Sequence, residues 1–296
     1  MGYGQHQSFY LRDRWLNKAI RHINDDERFF YDKEAFEKIG LGKNMVQSLR
    51  YWVLATRVAQ EKFNDERKKV YKITQFGKIL YKFDRFLQFL DSAAIIHYHL
   101  SSRKEPSTAW YWYFNKLNES VITKDELIST FIDWVKANEE KEVSEKSLKR
   151  DIECLIRLYV AGNNNEDPEE VIQSPLFRLN LLKETKGVVY KVQGDPKNIG
   201  ITALMYVLLA FKEEKETNVI TVEEIINNEG LWGRVFNMSR SSVINSLETL
   251  TNHPFYPLKF TRTNNLDTIR IPNISPIEFL HKEYARKVES LNVNSN

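Results

Sequence analysis

Between residues 33 and 74 the chain sets two helix-forming stretches on either side of Gly40-Leu41-Gly42, then two short extended runs parted by a polar loop. That order restricts the fold more than any other feature. Residues 33–40 carry Phe36 and Ile39 on a short helix. From Lys43 to about Arg57, Val46, Leu49 and Val53 recur at i, i+3 and i+7, the spacing of an inward helix face. A helix, a tight glycine-containing turn and a second helix is the helix-turn-helix layout. The runs Ala59–Phe63 and Val70–Thr74, joined by Asn64-Asp65-Glu66-Arg67-Lys68-Lys69, read as a hairpin, and a hairpin after a helix-turn-helix is a wing. Upstream, residues 8–24 are predicted helical, with Phe9, Trp15, Leu16 and Ile20 as the apolar stripe and Asp26 or Asp32 as a cap for the helix after it.

The same order recurs twice. Residues 75–120 are aromatic-rich and mostly helical, and Thr123-Lys124-Asp125-Glu126 then has the form of a capping box. Leu127, Phe131, Ile132 and Trp134 line its helix; Ser144 is placed to cap the next, which carries Leu148, Ile152, Leu155 and Tyr159. Residues 161–168 read as a loop, and Phe177–Leu182 with Val188–Val192 as short strands or a wing. Near Pro196 a third unit begins, with Leu204, Val207, Leu208 and Phe211 on a buried helix. A second capping box, Thr221-Val222-Glu223-Glu224, opens a helix expected to end near Gly230. Ser239 caps another, with Val243, Leu247 and Leu250 inward, before the hairpin Leu258–Thr263, Asn264-Asn265, Leu266–Ile271. The tail from about Ser290 is polar and expected to fray. The predicted fold is therefore mainly α with small β-hairpin wings, in tandem winged helix-turn-helix units. Residues 1–120 form an N-terminal winged-helix unit with an aromatic-rich helical extension, 121–195 a second winged-helix-like unit, and 196–296 a C-terminal one. They repeat in architecture, not in alignable sequence.

A chain of 296 residues has room for two domains, or three small ones. With 43 Lys and Arg against 40 Asp and Glu, the net charge of +3 carries no nucleic-acid signal; only clustering can. Cys154 is the sole cysteine, which rules out an intrachain disulfide, fits a reducing compartment and reads as a small buried apolar residue. No apolar run of signal-peptide type opens the sequence, and the most apolar stretch, Ala203–Phe211, is far short of the roughly 20 residues that span a bilayer. A cytoplasmic protein with no membrane partner is expected.

DNA is polyanionic, and a helix in its major groove offers side chains to phosphates and base edges. Lys43 and Arg50 suit phosphate or guanine, Gln47 suits adenine, and Asn44 suits a phosphate near the helix start. Lys68 and Lys69, beside Arg67, would reinforce them from the wing. Lys146, Lys149 and Arg150 form a second candidate set, diluted by Glu145, Asp151 and Glu153. Arg240 and Ser241 on a helix, with Arg262 on the last hairpin, form a third. His6 with Arg12 is a candidate phosphate site, against the plainer alternative of a structural hydrogen bond. The run Trp110-Tyr111-Trp112-Tyr113-Phe114 reads as closing an interface between packed elements rather than stacking bases. His97 and His99, two residues apart, cannot share one helix face as a metal pair. Zinc-spaced Cys/His pairs, His-Glu-x-x-His and a P-loop are all missing, so no residue is nominated as catalytic or as a metal ligand.

Four blocks carry a resemblance. They are Gln5-His6-Gln7-Ser8-Phe9 with Arg12 and Trp15; Gly42-Lys43-Asn44-Met45-Val46 with Leu49-Arg50-Tyr51-Trp52; Ala109-Trp110-Tyr111-Trp112 with Phe114-Asn115; and Ser144 to Asp151 with Cys154 and Tyr159. In this order, over about the first 160 residues, they resemble a bacterial family of uncharacterised proteins encoded beside PAPS-reductase-like genes in DNA phosphorothioation islands. The resemblance implies a DNA-binding role in phosphorothioation-linked antiviral defence. It is similar to an Ssp-type component that nicks one DNA strand, for which Mg²⁺ or Mn²⁺ would be the cofactor. Double-stranded DNA and other defence-system proteins are the implied partners. The family's motif glutamate stands here as Gln7, which neither binds a metal as a carboxylate nor acts as a general base. Two rivals are a winged-helix transcriptional regulator and a non-catalytic adaptor docking a defence ATPase or sulfur-transfer partner.

Overall fold

The computed structural model describes residues 2–161, 173–263 and 266–293. The first stretch runs through α1 (Trp15–Asp25), a 3₁₀ turn (Phe29–Tyr31), α2 (Ala35–Ile39), α3 (Lys43–Ala55), the hairpin β1 (Ala59–Phe63) and β2 (Lys69–Ile73), and α4 (Gln75–Phe83). Gly40 stands between α2 and α3 at φ 67, a left-handed conformation that glycine takes without steric cost. Ala59 pairs with Ile73 and Phe63 with Lys69 across the hairpin. Thr74 caps α4 by accepting from the Gly77 N–H at 3.0 Å. A Cβ at Gly77 would lie 2.2 Å from the Val58 carbonyl oxygen, so only glycine lets α4 pack there.

α5 (Leu90–Ser101) lies at the centre: every residue from Asp91 to Ser101 is buried. A helix covered on all sides belongs to a core, not a surface. Packed around it are α6 (Thr108–Asn115), the 3₁₀ turn Pro175–Leu179, α9 (Pro196–Ile199) and α10 (Ile201–Lys215). Buried apolar residues from Leu11 to Tyr284 join in one cluster.

The remaining elements repeat one order. β3 (Val121–Thr123), α7 (Lys124–Asn138), α8 (Glu145–Tyr159) and the hairpin β4 (Leu182–Thr185) and β5 (Val188–Lys191) give a three-stranded antiparallel sheet ordered β3-β5-β4. β6 (Val219–Thr221), α11 (Val222–Asn227), α12 (Trp232–Val235), α13 (Arg240–Thr251) and the hairpin β7 (Lys259–Thr263) and β8 (Leu266–Arg270) give another, ordered β6-β8-β7. α14 (Pro276–Val293) packs back on α10 and α4. The fold is thus mainly helical with small antiparallel sheets.

Several expectations need correction. The helix expected over 8–24 starts only at Trp15, because Gln7, Ser8 and Arg14 take positive φ (50, 66 and 34) and turn the chain instead. Ser144 makes no side-chain cap; its carbonyl alone serves the first turn of α8. Residues 175–179 coil as 3₁₀ before the strand begins at Leu182. α11 stops at Asn227, short of Gly230. Ser290 lies within α14, not in a frayed tail. The predicted loop at 162–168 and the Asn264-Asn265 turn lie outside the described residues.

Candidate nucleic-acid interface

Two helices that the sequence nominates for DNA, α3 and α8, meet the same N-terminal segment. His6 is wholly buried, and its Nε2 lies 2.7 Å from Asp151 Oδ1 on α8. The same carboxylate oxygen accepts from the Gly4 N–H at 2.9 Å. Ser8 N–H donates to His6 Nδ1 at 3.2 Å, which assigns the ring proton to Nε2, aimed at Asp151. Three residues on, the Phe9 carbonyl accepts from Ser48 Oγ (3.2 Å) and Trp52 Nε1 (3.0 Å), both on α3. Tyr51, Trp52 and Trp110 surround the imidazole with ring centroids 5.9–6.4 Å away. Residues 4–9 therefore strap α8 to α3. Burial makes the strap firm, since a buried carboxylate that loses its partners keeps its desolvation cost.

Along α3, Lys43, Asn44 and Gln47 are exposed, and Lys43 Nζ stands 4.7 Å from the Phe36 ring centroid. Arg50 differs. It leans on the hairpin, donating to Tyr71 Oη and, at 3.3 Å, to Glu61 Oε1, with its guanidinium 5.1 Å from the Tyr31 ring centroid. Lys69 also pairs with Glu61, at 2.8 Å, and Lys68 pairs with Glu66 at 2.6 Å. Hydrogen bonds from Lys69 and Tyr31 hold the Glu61 carboxyl down at about 2, so it stays charged and neutralises its neighbours. Arg50, Lys68 and Lys69, expected to face DNA as free cations, are thus matched by carboxylates.

On α8, Lys146 and Lys149 are exposed. Arg150 is half-buried against the strap, with one terminal nitrogen 3.3 Å from Ser147 Oγ and its Nε buried without a partner. In the last unit Arg240 pairs with Glu223, Arg262 with Asp267 at 2.9 Å, and the Ser241 hydroxyl lies 3.0 Å from Ser239 Oγ. Of the nominated cations, Lys43 on α3 and Lys146, Lys149 and Arg150 on α8 have no carboxylate at salt-bridge distance among the described residues, whereas Arg240 on α13 has one. Arg12, the other half of the candidate phosphate site, is half-buried with its guanidinium over Phe9, Tyr10 and Trp15, while both ring nitrogens of His6 are engaged internally.

The other singled-out residues serve the core. Trp110, Trp112, Tyr113 and Phe114 are at most 2% exposed on α6, so that run fills the interior. His97 bridges Tyr159 Oη and the Val235 carbonyl (2.7 Å each), while His99 bridges the Thr56 carbonyl (2.9 Å) and Tyr206 Oη (3.1 Å). They point to different partners, as their spacing requires. Cys154 is buried. Sequence reasoning missed Asp151 as the strap's anchor, counting it only as a diluting negative charge; a buried acid on a predicted inward face was the available signal. Among the described residues no group of three or more His, Cys, Asp and Glu side chains gathers as a metal cage would, so no step through a metal is assigned to them. No described helix is long and apolar enough to cross a membrane.

Two solved structures have the same fold. A magnesium-ion-bound SspB crystal structure matches with a TM-score of 0.86 at 21% identity, covering 97% of this chain and 88% of the other. An SspB crystal structure matches with a TM-score of 0.83 at 20% identity, covering 98% and 94%. No curated protein matches the sequence. The family described as protein of unknown function DUF4007 matches residues 3–284, nearly the whole chain, and the chain belongs to that family.

Proposed function

We propose that the chain binds duplex DNA within a phosphorothioation-linked defence system, using the surface that α3 and α8 share. One observation carries the reading: residues 4–9 tie together two helices whose exposed Lys43, Lys146 and Lys149 have no carboxylate at salt-bridge distance among the described residues. Uncompensated cations on two helices tied by one segment release counterions from DNA, and counterion release drives phosphate-directed binding. Asn44 and Gln47, exposed beside Lys43, add polar contacts to base edges or backbone. The order strand, helices, hairpin, with the first strand against the second hairpin strand, supports a winged-helix reading. We take residues 121–195 and 196–296 as two such units and residues 1–120 as a variant with a two-stranded wing. The defence context comes from the sequence resemblance and from sharing the fold of SspB.

The test is a gel-shift titration of a duplex of arbitrary sequence over a salt series. Binding that weakens steeply with salt, and weakens further in Lys43→Ala/Lys149→Ala, supports the reading; no shift at low salt removes it. Supercoiled plasmid with Mg²⁺ or Mn²⁺ addresses nicking separately: open circles would add strand cleavage to binding. A single palindromic operator preferred over all other sequences would instead indicate a regulator.

A further inference from the structure

Beside the first turns of α1 and α3 lies a half-open cavity of about 430 Å³, lined by Arg12, Arg14 and Lys18 together with Trp15, Leu41 and Met45. Neither helix has a side-chain cap: Arg14 and Gly42, at the cap positions, accept no side-chain hydrogen bond from the adjoining turn. Both first turns therefore keep N–H groups and the positive end of the helix dipole beside the cavity. Arg12 is held by aromatic rings, 5.7 Å from the Trp15 centroid and 5.9 Å from Phe9, and its Nε is buried with no hydrogen-bond partner. Arg50, Lys69, Arg240 and Arg262 each have a carboxylate, but among the described residues Arg12, Arg14 and Lys18 have none at salt-bridge distance. Asp13 is the one acid in the lining. Arg14 holds φ at 34, a strained setting for a side-chain-bearing residue, and such strain gathers at binding sites.

We infer that this cavity is a nucleotide subsite, taking one phosphate ester of the nucleic acid between the three cations and packing the attached sugar or base on Trp15, Leu41 and Met45. It is larger than a lone phosphate needs and falls within the roughly 300–1,000 Å³ of small-molecule pockets. Two uncapped helix starts with three cations select an anion, and the apolar residues of the lining select an ester over a bare ion. The subsite adjoins the exposed first turn of α3 and rests on the duplex-binding reading; it would hold an internal phosphodiester or a 5′-phosphorylated strand end.

Two measurements separate the possibilities. Inorganic phosphate and the dinucleotide pTpT are titrated while the Trp15 indole and Arg12 Nε resonances are followed by NMR; pTpT is expected to shift both at lower concentration than phosphate. Gel-shift salt series then compare the wild type with Arg12→Gln, Lys18→Gln and Arg14→Gly, on duplexes with 5′-hydroxyl or 5′-phosphate ends. Each charge lost should lower the salt slope by about 0.9. Arg14→Gly relieves the φ and should melt no lower than wild type, so its weaker binding is not misfolding. Equal loss on both duplexes identifies an internal phosphodiester, and loss confined to 5′-phosphate ends identifies a terminus. Unmoved resonances at millimolar pTpT, or unchanged slopes in all three variants while the wild type binds duplex, overturn the subsite and leave duplex binding standing. Shifted resonances without duplex binding overturn the duplex reading and leave an anion pocket.

Discussion

Lys43 and Arg50 lie on one helix with opposite surroundings. Lys43 projects from the first turn of α3 with its Nζ 4.7 Å from the Phe36 ring centroid, whereas Arg50 is tied to Tyr71 and Glu61 of the hairpin. Their substitutions should separate accordingly. Lys43→Ala is expected to weaken DNA binding several-fold and leave the urea midpoint unchanged. Arg50→Ala should cost about 1 kcal/mol of stability, because it removes one partner each from the charged Glu61 and the buried Tyr71 phenol. Urea denaturation beside gel shifts decides it; an Arg50→Ala protein of full stability would mean the guanidinium is free for DNA after all. Helical spacing put Val46, Leu49 and Val53 inward and Lys43 and Gln47 outward, as the structure has them. It did not show that Arg50, on the same outward face, is paired with Glu61, because periodicity names a helix face without naming what the chain later lays on it. Glu61 arrives on that face only when β1 folds back.

Helix starts were legible where a side chain caps them and illegible where backbone geometry does the work. Thr123 and Thr221 form the predicted capping boxes with Glu126 and Glu224. Ser144 has the right type and position but no cap bond. Thr123→Ala and Thr221→Ala should therefore each lose about 1 kcal/mol, and Ser144→Ala close to nothing. Three equal losses in urea unfolding would show that Ser144 caps in solution. β3 and β6 escaped notice because each is three residues long and ends on the threonine of a capping box, so the cap signal hid the strand. The start of α1 was misread for another reason: the apolar stripe continues through Phe9, but left-handed residues 7, 8 and 14 break the backbone where propensity shows nothing. Those same residues shape the strap and the cavity rim, so the least legible local structure coincides with the candidate site.

At the scale of the molecule, α5 holds the parts together and makes them acid-sensitive. Burial lowers His97 to about 4 and His99 to about 3, each neutral imidazole bridging two elements. Both folded values lie below the unfolded value of about 6.5. The stability they contribute is therefore complete above pH 6.5 and withdrawn as pH falls toward 4 and 3, at about 1.4 kcal/mol per pH unit for each ring. Urea unfolding at pH 5 should show a loss of about 4 kcal/mol relative to pH 7 from the pair. Equal stability at the two values would refute buried neutral rings. The sequence excluded these histidines as a shared metal pair but gave no hint of their depth, because α5 has little amphipathic contrast and its partners come from residues as distant as Val235.

The tie between His6 and Asp151 also has a consequence for how the protein is made. The two residues are 145 positions apart, so a nascent chain cannot close the contact until α8 has left the ribosome. Until then the opening residues can meet α3 through Phe9, but His6 lacks its carboxylate partner. The strap between the two helices is therefore completed only late in synthesis.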